Sequence, residues 1–180
     1  MHELNAQELF LALQHAKSLD EEAGKKIMIE FEIDQPLLFQ TVFNTFASII
    51  AARHQDMAHL FMDLCFDVLC VYRHSFGTMP KFSQDPTWME SQIMLIDKEL
   101  KPLMKDGKIN EKNDERMKQL FFSPREGETL QYGLLEFLHQ AINQFVEENV
   151  CDNATAELTN AMLFVVVRLF NNLYTQPTLH

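Results

Sequence analysis

Glycine and proline are scarce in this chain, five and six in 180 residues, and tryptophan occurs once. Turn-rich all-β folds lean on the first two. Disordered chains lean on polarity, which does not fit a sequence that is 47% hydrophobic. Basic residues are also short, fifteen Lys and Arg against twenty-six Asp and Glu, for a formal charge of −11. That deficit argues against nucleic acid as a partner, because backbone binding is driven by Lys and Arg releasing counterions. The three cysteines, Cys65, Cys70 and Cys151, are too few and odd in number for a disulfide framework. On a helix, Cys65 and Cys70 point in different directions and do not pair.

Long apolar runs are missing too. The longest spans residues 161–167, far below the ~20 residues a membrane-crossing helix needs. The opening Met1-His2-Glu3-Leu4-Asn5 has no basic stretch followed by an apolar one, as a signal peptide would. Gly-x-Ser-x-Gly, phosphate-cradling glycine loops, dinucleotide fingerprints and Cys-x-x-Cys pairs are absent, which disfavours the enzyme classes they announce. These absences together predict a cytoplasmic protein with reduced thiols, with neither membrane nor nucleic acid as a partner.

What the chain does have is helical patterning, organised around residues 54–72. That stretch is apolar nearly all round, except for a narrow stripe of Asp56, His59, Asp63 and Asp67 at three- and four-residue spacing. A helix of that kind belongs in the middle of a bundle. Before it, Asn5 and Glu8 form a capping box opening a helix to about Lys17, with Phe10, Leu11 and Leu13 as its buried side. Ser18 and Glu21 repeat the signal. The last six positions of residues 27–34 alternate apolar and acidic side chains like a strand, yet Leu19, Ala23, Ile27 and Phe31 recur every four residues, so helix is preferred. Pro36 opens the next helix, carrying a stripe of Phe39, Phe43, Phe46 and Ile50, and a turn at residues 53–55 makes it an antiparallel neighbour of the central one.

Residues 73–86 hold a glycine, two prolines and several turn formers, and are expected to form a long loop or joint. A helix presenting Ile93, Ile96, Leu100 and Leu103 should follow, bent near Pro102, then a short charged helix over residues 112–122. Lys98, Lys101, Lys105, Lys108, Lys112, Arg116 and Lys118 alternate there with acids, the pattern of a solvated face. Residues 129–148 and 154–174 read as two further helices, the second nearly all apolar at its centre. The expected fold is an all-α, single-domain bundle over residues 1–180, of about seven or eight helices. Two helical hairpins, 37–72 and 134–174, form its core. Their shared design fits either an internal duplication or convergent packing.

Three sites compete for function. His59 and Asp63 could join Glu136 and His139, a Glu-x-x-His pair of the kind that projects metal ligands from one helix, and bind a divalent metal. Only one such pair exists where carboxylate-bridged centres use two, so a solvated stripe is the simpler account. Met79, Phe82, Trp88 and Met89 in or beside the joint could anchor a protein partner, or plug the bundle. Cys70 has His74 one turn on, but lies among valines and leucines as a small core residue does. The expected function is a non-enzymatic interaction or regulatory protein without cofactor, acting on a partner or a second copy of itself through apolar helix faces. A metal-binding enzyme or carrier, or a pocket for a small apolar ligand, stands second.

Overall fold

A computed structural model describes residues 1–81, 87, 90–92, 94 and 128–175. All regular structure among these residues is helical, and the fold is an all-α bundle. α1 (Ala6–Ser18) opens on the expected capping box: Asn5 Oδ1 accepts from the amides of Gln7 and Glu8, both at 3.0 Å, while Glu8 Oε2 accepts from Asn5 N at 2.8 Å. α2 (Glu21–Asp34) is capped by Asp20, whose carboxylate accepts from Ala23 N at 2.8 Å. Ser18 is not that cap; its hydroxyl closes α1 by donating to the His15 carbonyl. The alternating stretch is helical, as its four-residue recurrence favours.

Pro36 stands at the first turn of α3 (Pro36–Phe39), which continues without interruption into a π-helical stretch, Gln40–Phe46, and α4 (Ala47–Ala51). Leu38, Val42, Phe46 and Ile50 are buried, a spacing of four throughout. In a straight α-helix such a series drifts about 40° per step around the axis. The wider π turns offset that drift and keep all four on the core.

His54 caps α5 (Gln55–Phe76): Nδ1 accepts from Met57 N at 3.2 Å, and Nε2 lies 3.0 Å from the Val150 carbonyl oxygen. One imidazole thereby ties two interhelix turns together. α6 (Tyr132–Glu148) and α7 (Asn153–Thr175) complete the described bundle. α5 packs on α7 at the centre, with α1 and α4 against α5 and α6 against α7. The two expected hairpins are present. The first extends further than its sequence suggests, since residues 73–76 are helix, not joint. Arg73 pairs with Glu30 at 2.8 Å, Phe76 packs against Tyr72, and Gly77, at φ 88°, closes the helix by donating its N–H to the Arg73 carbonyl. Residues 82–86 of the expected joint, and the helices expected over 93–103 and 112–122, lie outside the described residues apart from Met94.

α7 is buried on all sides from Ala161 to Asn171, and its polar members have partners. Arg168 makes a bidentate pair with Glu128, Nε to Oε1 and Nη2 to Oε2, both 2.8 Å. Asn171 Nδ2 donates to the Thr129 carbonyl at 3.0 Å, and its Oδ1 accepts from the fully buried Tyr72 hydroxyl. These bonds seat residues 128–131 on α7 before the chain enters α6.

Candidate functional site

α1 lies antiparallel along α5: Lys17 meets Asp67 near its end, and His2 meets Phe76 near its beginning, ring centroids 5.8 Å apart. Its other flank meets the start of α6. Gln131 Oε1 accepts from Leu4 N at 2.9 Å, and Gln131 Nε2 donates to the His2 carbonyl at 2.8 Å. Gly133 permits the close approach there, since a Cβ on it would stand 3.2 Å from Leu9 Cδ2. Beside that clamp the two helices leave a groove of about 720 Å³. Leu4, Leu9, Phe10, Leu13 and Phe137 supply its apolar surface, and Glu3, Asn5, Glu136 and Gln140 its polar one.

Phe10 is 62% exposed and Leu11 48%, whereas Leu9, Ala12 and Ala16 carry the buried side of α1. The expectation that Phe10 and Leu11 face the core is therefore corrected, whereas Leu13 does pack against it, half-buried. α1 buries Leu9 and the small residues Ala12 and Ala16, and Phe10 stays exposed beside the groove.

The other candidates fall apart in space or lie inward. His59, Asp63, Glu136 and His139 are all exposed. His59 Nε2 sits 3.1 Å from Gln55 Nε2, and Glu136 accepts from Gln140 at 3.3 Å. Among the described residues, no three His, Cys, Asp or Glu side chains gather to hold a metal ion. Met79 is buried at 3% exposure, packed in the core, while Phe82, Trp88 and Met89 lie outside the described residues. Burial, and then the Asp67 charge, push the Cys70 thiol up to about 12, and its neighbour His74 packs instead against His15, ring centroids 4.8 Å apart and planes tilted by 32°. Such a thiol is inert as a nucleophile at neutral pH.

Asp67 departs most from its sequence reading as a wet edge: it is 3% exposed and bonded by Lys17 Nζ at 2.6 Å. Burial raises its carboxyl above the ordinary range, and the Lys17 ammonium opposes that shift. A carboxyl raised on folding binds protons more readily in the native state, so its ionisation weakens the fold at neutral pH and acidification relieves the loss. Lys17→Met is expected to destabilise by about 1–3 kcal/mol at pH 7. The difference from wild type should shrink as pH falls through the raised Asp67 range, measured by urea unfolding of both proteins at each pH. A pH-independent difference would show that Lys17 acts by packing alone.

Comparison of the chain with protein-family models, with curated proteins and with solved structures gives no match in any of the three.

Proposed function

We propose that this chain is a non-enzymatic interaction protein whose α1/α6 groove receives an amphipathic helix with basic flanks from a protein partner. The observation that carries this reading is Phe10, a large aromatic left 62% exposed beside an apolar groove with Glu3 and Glu136 among its lining. Aromatic side chains beside a hydrophobic groove are what a partner's i, i+3, i+7 apolar anchors bury. The net charge of −11 favours Lys and Arg at the ends of that helix. An open trough between two helices suits a helix laid along it better than an enclosed small molecule. The free thiols Cys65, Cys70 and Cys151 are consistent with the reducing cytoplasm.

Selection from a displayed library of helical peptides against the whole chain tests this. Enriched sequences should carry apolar anchors at helical spacing with basic ends, and should bind Phe10→Glu at least about tenfold more weakly, a loss of about 1.4 kcal/mol. Because Phe10 is exposed, that substitution leaves the bundle intact. Peptides that bind the variant as well as wild type, or no enrichment at all, would overturn the groove as the site.

A further inference from the structure

α2 buries one residue completely, Phe31, and turns a different face outward. On that face Ile29 is 56% exposed and Ile33 72%, one turn apart. Charges are ordered along it. Lys25 and Lys26 precede Ile29, whereas Glu32 follows it, and all three are exposed. Lys25 and Glu32 are seven residues apart, two helical turns, so they share one flank of the isoleucine stripe.

We propose that two copies of this chain associate through α2, antiparallel, with Ile29 of each beside the two-fold axis. Under that symmetry the same flanks face one another and residue order reverses, so Lys25 of each copy comes level with Ile33 of the other, one residue from its Glu32. The isoleucines are covered and two Lys25–Glu32 pairs form. A parallel arrangement would instead set opposite flanks together at the same level, bringing Lys25 of one copy beside Lys26 of the other. Within one copy Lys25 pairs with Glu21 at 2.5 Å, both side chains well exposed, so exchanging that partner is nearly neutral. Glu30 is already held by Arg73, which leaves Glu32 as the acidic partner. Two 14-residue helices side by side make a contact at the small end of stable interfaces, and the dimer should dissociate on the order of tens of micromolar. This surface does not involve the α1/α6 groove, and the pairing stands or falls independently of peptide binding there.

Sedimentation equilibrium of the whole chain, from micromolar to submillimolar concentration, reads the result directly. Wild type should pass from monomer to dimer. Ile33→Asp should weaken the dimer by at least about tenfold, equivalent to about 1.4 kcal/mol. Lys25→Glu and Glu32→Lys should each weaken it singly, and the two together should restore it, because the swapped charges again meet their opposites. Circular dichroism checks that these exposed substitutions leave helix content unchanged. A monomer throughout, a dimer indifferent to Ile33→Asp, or a double swap no stronger than the single ones would each overturn the proposal.

Discussion

Arg168→Met is expected to destabilise the protein by about 3–5 kcal/mol, the cost of removing one member of a buried ion pair and leaving the other charge without it. Arg168 and Glu128 have side chains only 6% and 9% exposed, and two parallel bonds of 2.8 Å join them. Removing the guanidinium takes two charge-assisted bonds from the mostly buried Glu128 carboxylate and loosens the seat of residues 128–131 on α7. For a chain of this size the loss corresponds to a fall in Tm of about 6–20 °C. A double change, Arg168→Met with Glu128→Leu, should recover most of it, since apolar replacement of a whole buried pair is often neutral or better. Thermal and urea unfolding of the three proteins would show it; a single variant within about 1 kcal/mol of wild type would mean that Glu128 finds solvent without penalty.

Phe31→Ala should cost a similar amount, about 3–5 kcal/mol, by a different route. Its ring has no exposure and contacts three others: Phe39 and Phe43 edge-on at 5.8 and 6.1 Å, and Phe170 tilted at 5.7 Å. A cavity at that junction loses both the buried area and the ring–ring attractions. The damage should also be local, because Phe31 is the only residue α2 buries fully. α2 should therefore open ahead of the rest of the bundle. Limited tryptic digestion is expected to cut at Lys25 and Lys26 faster than global unfolding allows, and the α2 pairing should be lost with it. Digestion at the wild-type rate would show α2 held by its half-buried neighbours Ile27 and Met28.

The helices were legible because their signals are local. The Asn5–Glu8 box, Pro36 and the apolar recurrence in α5 and α7 each specify an element within a few residues. Which face of α1 turns inward was not, because Phe10 and Leu11 are more hydrophobic than Ala12 and Ala16. The small residues win only where α5 presses close, a fact that lies in the partner helix. The π stretch was hidden for a like reason. A series spaced by four reads as an ordinary stripe until something demands that Leu38 and Ile50 face the same core. Asp67 looked like surface since its partner, Lys17, is fifty residues away. The groove has a faint trace in two amphipathic helices, but its opening depends on how Gly133 seats Leu9.

The link from Tyr72 to Asn171 spans 99 residues of chain, which bears on how the protein comes off the ribosome. α5 is complete long before α7, the helix that covers it, has been made. At about 5–20 residues per second the interval lasts about 5–20 s. Throughout it, Tyr72 has no α7 to pack against, so the side of α5 that meets Val167, Phe170 and Asn171 in the finished fold is uncovered on the nascent chain.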